Sequence, residues 1–233
     1  MGYLMRFSRL GLICLYLTAI SFLFSEVAFA NAVSANDECL NLSPTSGSLV
    51  RTSIANVTID QSSSTTSDLA DMAGLYNESD RMIGGLTSAI PLVEYEVVPN
   101  YLILPNQKGI CARPALLLTV GYSAMKVSMD REIPRESCIY NAIFAHEMHH
   151  VSIYKSYIDT HIEQMKQHVD AKFNGSAYHF SSVNEAKQYM DILGQIFIQK
   201  FRDQFFSEVE AEQTALDTQV EYSRMQLSCP HWH

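Results

Sequence analysis

The sequence predicts an α+β fold in which a small, mainly antiparallel sheet is followed by a long antiparallel helix hairpin. Between residues 90 and 130 the apolar residues alternate with polar ones or form short runs, which is typical of strands. After Pro134 the apolar residues recur at steps of three and four, which is the period of an amphipathic helix. Asn174 and Gly175 interrupt this pattern, so two helices are expected rather than one.

Three segments account for the predicted strands. Residues 92–98 and 101–104 are short β-like runs, and residues 105–109 contain the Pro and Gly expected of a turn. The third segment, residues 115–129, continues the pattern to the beginning of the helical region.

The two predicted helices have recognisable ends. Asn174 is a plausible C-cap of the first helix, and Ser182 is a plausible N-cap of the second. The second helix is expected to run from Val183 to about Leu227. Its apolar stripe comprises Leu193, Phe197, Phe201, Phe205, Val209, Leu216 and Val220.

The N-terminal region divides into two parts before the main domain. Residues 1–30 begin with two arginines, continue through an apolar run and end on Ala28-Phe29-Ala30, which is the pattern of a cleaved signal peptide. A retained transmembrane anchor is the alternative, but residues 10–24 are fewer than the roughly 20 that span a bilayer. Residues 31–67 form a polar, partly disordered extension with room for one short strand, and residues 68–233 are expected to form the main domain.

The signal pattern and the charge of the chain limit its expected cellular location and its expected classes of binding partner. The signal pattern predicts a secreted or periplasmic protein, and no later segment is apolar enough to span a membrane. The formal net charge of −9 argues against nucleic acid or an anionic lipid surface as a partner. Nothing in the sequence indicates an oligomeric state.

Four cysteines follow the signal segment, which favours two disulfides in an oxidising compartment. A cysteine zinc site is disfavoured because no C-x-x-C pair is present. The predicted hairpin brings Cys138 and Cys229 to its open end, which leaves Cys39 to pair with Cys111. A bridge between Cys111 and Cys138 remains open as an alternative.

The first predicted helix contains the sequence His146-Glu147-Met148-His149-His150, which satisfies H-E-x-x-H. Residues four apart on a helix share a face, so two imidazoles reach one Zn²⁺ ion, and the glutamate between them is placed to act as general base. His149 lies off this face. The competing interpretation is a chance match on a histidine-rich helix.

This arrangement resembles the zincin metallopeptidases, in which a strand-rich part precedes a helix with H-E-x-x-H. The metzincin extension of the motif is absent, since Ile153 and Ser156 occupy its Gly and His positions. Gluzincins take a third ligand from a glutamate on a later helix, and Glu208-Val-Glu-Ala-Glu212 resembles their E-x-E-A-D pattern. The resemblance implies that Glu208 is the third metal ligand.

Helix geometry points to the same residue. In a tight hairpin centred near residue 178, Glu208 lies level with His150, and Glu212 lies level with His146 as an orienting partner or alternative ligand. Glu208 and Glu212 also continue the apolar stripe of the second helix. Burial of a carboxylate without a partner is energetically costly, so a metal ion and its histidines would compensate for it. Ordinary salt bridges with Lys155 or Arg202 are the alternative.

The sequence therefore predicts a secreted zinc metallopeptidase that acts on a peptide or protein substrate. A strand within residues 115–129 is expected to bind the substrate by β-addition. Tyr222 and Tyr154 are candidates for stabilising the transition state. The alternative is a non-catalytic envelope or binding protein with a structural zinc site.

Overall fold

The computed structural model describes residue 39 and residues 47–74, 83–105, 108–175 and 177–229. The predicted signal peptide, residues 1–30, lies outside the described residues. Within them the chain forms five strands and four helices. Their order is β1 (Leu49–Ile54), β2 (Val57–Ser64), α1 (Thr66–Met72), β3 (Gly85–Ile103), β4 (Ile110–Asp130), α2 (Cys138–Phe173), β5 (Tyr178–Phe180), α3 (Val183–Leu216) and α4 (Gln219–Ser228).

Strand β4 is the centre of a single five-stranded sheet. Strand β3 pairs with it in antiparallel fashion along nearly its whole length. The other edge of β4 is occupied by three short strands placed end to end. There β5 pairs antiparallel with residues 110–112, and β1 and β2 pair parallel with residues 117–122 and 125–130.

The predicted small, mainly antiparallel sheet is therefore wrong. The two strands that precede β3 in the chain both run parallel to β4, and they arise from residues 49–64, within the segment predicted as a polar extension. Most of their side chains are exposed or half-buried, so the sequence there lacks the apolar alternation by which strands are recognised. Hydrogen bonds to β4 hold them in the sheet instead.

The predicted helix hairpin is also wrong, although two of its helix ends lie at the predicted residues. Helix α2 is C-capped by Asn174, and the Ser182 side chain accepts a hydrogen bond from the Glu185 amide at the start of α3. The connection between them includes β5, which pairs with β4. The second helix is not continuous to Leu227, because it stops at Leu216 and α4 begins after the N-cap Thr218.

The long helices α2 and α3 pack on the sheet. The main core cluster includes Leu116, Leu118, Val120 and Tyr122 of β4, Ile158, Met165, Val169 and Phe173 of α2, and Ile198, Phe205 and Val209 of α3. A second cluster joins Ile143 and Val151 of α2 to Val127 and Met129 of β4. The segment between Ile143 and Val151, which contains the H-E-x-x-H motif, is thus fixed by core contacts on both sides.

Both disulfides formed by the four cysteines agree with the predicted pairing. Cys39 is bonded to Cys111 of β4, and Cys138 at the start of α2 is bonded to Cys229 at the end of α4. The alternative bridge between Cys111 and Cys138 is excluded. Among the described residues, no helix combines the length and the apolar character needed to cross a bilayer.

Replacing both Cys138 and Cys229 with serine should lower the free energy of unfolding by about 2–5 kcal/mol, because the bridge closes a loop of 91 residues. Urea denaturation without reductant measures this. Proteolysis without reductant, followed by mass spectrometry, should recover a peptide joining these cysteines from the native chain. A peptide that joins Cys111 to Cys138 would contradict both assigned bridges.

Candidate metal centre

Two histidines of α2 face each other in the interior of the protein. His146 and His150 are both buried, and their Nε2 atoms are 3.2 Å apart. The spacing of four residues brings the two rings to the same face of the helix, one turn apart. The structure therefore brings together the two imidazoles that the motif predicted as metal ligands.

Asp217 supplies a third group at the same point. Its Oδ1 atom lies 3.0 Å from Nε2 of His146 and 3.1 Å from Nε2 of His150. The residue stands in the break between α3 and α4, where its non-helical backbone turns the chain before Thr218 caps the next helix. The break therefore points the carboxylate at α2.

These three atoms could hold a metal ion. His146, His150 and Asp217 form the one such group of histidine, cysteine, aspartate or glutamate found among the described residues. A tetrahedral zinc with ligand bonds of about 2.0–2.1 Å separates its donor atoms by about 3.3–3.4 Å. The observed separations of 3.0–3.2 Å are close to this spacing.

The electrostatics of the group also favour a bound cation. Burial lowers the pKa of His150, but hydrogen bonds to Asp217 and Gln213 and the Asp217 charge outweigh it, and the net shift is upward. Partial burial raises the pKa of Asp217, yet its hydrogen bonds to His146 and His150 bring that pKa well below its ordinary value. A proton or a metal ion at the convergence point is therefore stabilised by the surrounding atoms.

Glu147, the predicted general base, is buried beside the histidines. The Thr87 hydroxyl of β3 lies 2.8 Å from its Oε2 atom and 3.0 Å from its backbone carbonyl oxygen, so its one hydrogen is within reach of both acceptors. Burial raises the pKa of this carboxyl, while the hydrogen bond from Thr87 and the charges of His150 and His146 oppose the shift. A raised carboxyl pKa suits a group that must both accept and release a proton near neutral pH.

Gly85 allows β3 to approach Glu147 this closely. A Cβ atom at residue 85 would lie 2.7 Å from Cγ of Glu147 and 2.8 Å from Cγ2 of Ile143. These distances are shorter than non-bonded carbon atoms tolerate. A larger residue at position 85 would have to displace the Glu147 or the Ile143 side chain.

The three donor atoms and Glu147 open onto one cavity of about 410 Å³. Its walls come from the start of β3, from α2 and from the region around the α3–α4 break. Tyr222 lines it, with its hydroxyl donating to Asp217 Oδ1 at 3.0 Å and its ring 5.6 Å from that of His146. Tyr154 lines it as well, so both tyrosines singled out in the sequence lie at the site.

Glu208 and Glu212 are not brought to the histidines. Both are exposed, and Glu208 accepts a hydrogen bond from the Tyr157 hydroxyl in a separate, shallow depression on the surface. This bond lowers the pKa of the Glu208 carboxyl. The slight burial of Glu208 raises that pKa by less, so the net shift is downward. Asp217 occupies the position predicted for Glu208, nine residues further along the chain.

The difference follows from which residues of α3 face the core. Phe205, Val209 and Gln213 are the buried residues along the last three turns, and a further step of four leads to Asp217. The sequence does carry a signal for the break that presents Asp217, because Thr218-x-x-Glu221 has the form of a capping box. The Thr218 side chain accepts a hydrogen bond from the Glu221 amide, which is one of the two bonds of that motif, while the Glu221 carboxylate pairs with Arg224. No comparable signal identifies Thr87.

Comparison of the chain with protein-family models, with curated proteins and with solved structures finds no match. The function proposed below therefore depends on the geometry of the site.

Substituting Gly85 with alanine should lower the free energy of unfolding by about 1–3 kcal/mol, because the added methyl group displaces Glu147 or Ile143. Gly175→Ala is the matched control, since a Cβ atom there meets no atom within 4 Å, and its stability should change little. Urea denaturation in the presence of a chelator measures both without a contribution from bound metal. Equal stabilities of the two variants would contradict the close contact.

Proposed function

We propose that this protein is a Zn²⁺-dependent hydrolase of peptide bonds, with His146, His150 and Asp217 as metal ligands and Glu147 as general base. One observation carries the proposal. Two buried imidazole nitrogens and a carboxylate oxygen converge within 3.2 Å of one another, beside a buried glutamate and on the wall of one cavity. Asp217 takes the ligand role that the sequence suggested for Glu208.

The donor set favours a catalytic site over a structural one. Structural zinc is usually enclosed by four protein ligands, whereas catalytic zinc has three and leaves one position open. Here three donors face a cavity of about 410 Å³, which leaves space for water and substrate. A non-catalytic protein with a structural zinc has no need of a buried carboxylate held at the edge of that space.

Each side chain then has a chemical role. Bound zinc lowers the pKa of a coordinated water toward neutrality and polarises a carbonyl group. Glu147, held by Thr87, accepts the proton of the attacking water and passes it to the leaving amine. The Tyr222 hydroxyl, which donates to Asp217 in the free protein, turns its hydrogen to the carbonyl oxygen as negative charge develops there.

A peptide substrate is favoured by the position of β3. Strand β4, which contains the segment first expected to bind substrate, is paired on both edges. Strand β3 pairs with β4 alone among the described residues, and its first residues, Gly85, Leu86 and Thr87, line the cavity. An extended peptide could bind to the outer edge of β3 through main-chain hydrogen bonds. Because the first residues of β3 line the cavity, a peptide bound there would extend to the metal centre.

The two disulfides fit an oxidising compartment. Together with the signal pattern of residues 1–30, they support a secreted or periplasmic location for the proposed enzyme.

Removing a residue that only orients a metal ligand typically weakens metal binding by about 10–100-fold. Alanine at His146, at His150 or at Asp217 removes a ligand itself, so each substitution should weaken zinc binding by more than this. Glu208→Ala, which removes an exposed carboxylate from the same region, should leave zinc affinity unchanged. Competition with a chromogenic chelator measures the affinities, with circular dichroism as a check of folding. Loss of zinc from Glu208→Ala, with retention by Asp217→Ala, would reverse the assignment.

Glu147→Gln should retain zinc but lower kcat for peptide hydrolysis by about 10²–10⁴-fold, since the amide cannot accept the proton of the attacking water. Cleavage of a mixed peptide library, followed by mass spectrometry, provides the substrate and the rate. Glu163→Gln is the matched control, because this exposed glutamate lies on the same helix and its carboxylate pairs with Lys166 alone among the residues that the structure describes. A native protein that binds zinc and cleaves no peptide would favour the structural-zinc alternative.

A further inference from the structure

Gln213 of α3 is buried against the metal centre, and its two hydrogen bonds to described residues are both to His150. Its Oε1 atom lies 2.5 Å from Nδ1 of the His150 ring, and its Nε2 atom donates to the backbone carbonyl oxygen of His150 at 3.1 Å. The neighbouring Glu212, which the sequence placed near the histidines, is exposed. Gln213 therefore takes an orienting role of the kind predicted for Glu212, but toward His150 and not toward His146.

The two hydrogen bonds together determine where the ring proton lies. The His150 carbonyl oxygen only accepts, so it fixes the NH₂ group of Gln213 on its own side. The amide oxygen then faces Nδ1, and since that oxygen only accepts, Nδ1 must carry a hydrogen. In a neutral imidazole the other nitrogen, Nε2, is left with a lone pair.

Asp217 acts in the opposite direction. Its Oδ1 atom lies 3.1 Å from Nε2 of His150 and accepts a hydrogen from that nitrogen whenever one is present. Asp217 thus favours the tautomer protonated on Nε2, which has no lone pair to offer a metal. Gln213 favours the tautomer protonated on Nδ1, which does.

We infer that Gln213 is the positioning residue that fixes His150 as the Nδ1-protonated tautomer and so directs its Nε2 lone pair into the cavity for metal binding. The consequence for zinc rests on the proposed function, whereas the tautomer itself is a property of the metal-free protein. His146 has no equivalent partner, because its Nδ1 atom is buried with no hydrogen bond within the described part of the chain and the Glu221 carboxylate is 3.9 Å away. The inference is therefore specific to His150.

Gln213→Met tests the inference, since methionine keeps the length and the buried shape but has no amide to accept from Nδ1 or to donate to the carbonyl. In ¹⁵N-labelled, metal-free protein, at a pH raised until the imidazole signals no longer change, long-range ¹H–¹⁵N spectra distinguish protonated from unprotonated ring nitrogens of the neutral rings. Native His150 should be protonated on Nδ1, and in Gln213→Met the proton should move to Nε2, beside Asp217. The signals of His161, whose Nδ1 atom lies 2.8 Å from the Tyr157 carbonyl oxygen and away from the metal centre, should keep their pattern and serve as an internal control.

Zinc affinity gives the second measurement. Gln213→Met should weaken zinc binding by about 10–100-fold, as is typical for removing a residue that orients a ligand. Gln213→Glu, which keeps an acceptor facing Nδ1, should restore the Nδ1-protonated tautomer and most of the affinity. Gln199→Met is the matched control on the same helix, because Gln199 is exposed and, within the described part of the chain, its side chain bonds to Asp203 alone.

Three outcomes would overturn the inference. They are a native His150 protonated on Nε2, a Gln213→Met protein with an unchanged tautomer, and a Gln213→Met protein that is less stable in urea but binds zinc as tightly as the native chain. Failure of the proposed function is a separate result. In that case the native protein binds no zinc, while the spectra of the metal-free protein still report the effect of Gln213 on His150.

Discussion

The meeting of His146, His150 and Asp217 is the contact on which the rest of the site depends. Two buried imidazole nitrogens and an oxygen of the exposed Asp217 carboxylate lie within 3.2 Å of one another, and a hydrogen or a metal ion between them stabilises this arrangement. Asp217, which supplies the carboxylate, follows His146 by 71 residues and His150 by 67 residues in the sequence. The surrounding fold must hold these distant parts of the chain to within a fraction of an ångström.

Local interactions explain what the sequence predicted. The relation between His146 and His150 depends only on helix geometry, and Asn174 and Ser182 bound the helices by local capping. Asp217 could not be predicted in this way. The connection between α2 and α3 includes β5, and α3 is displaced from the tight-hairpin register. Gln213 contacts His150 where Glu208 was expected, and Asp217 contacts His146 where Glu212 was expected, so the displacement is about five residues, roughly 7.5 Å of helix. The pairing of β1 and β2 with β4 is equally non-local, and their exposed side chains give no pattern to reveal it.

The stripe on α3 shows how small a difference in pattern separates the two assignments. From Phe205 a step of three leads to Glu208 and then to Glu212, while steps of four lead to Val209, Gln213 and Asp217. Both steps stay on one face of a helix with 3.6 residues per turn, so periodicity alone does not choose between them. Packing against β4 and α2 chooses the second, and it leaves an amide, not a carboxylate, beside His150.

Helix α4 illustrates how a short element can deliver a carboxylate accurately. It has 10 residues and one buried side chain, Met225, so packing along its length contributes little to its position. Its ends are fixed instead. The Cys138–Cys229 bridge ties its C-terminal end to the start of α2, and the contacts of Asp217 with the histidines tie its N-terminal end to the same helix about two turns later. Both attachments are to α2, so each one limits the movement of α4 relative to that helix. The Asp217 carboxylate is therefore held where the two imidazoles point.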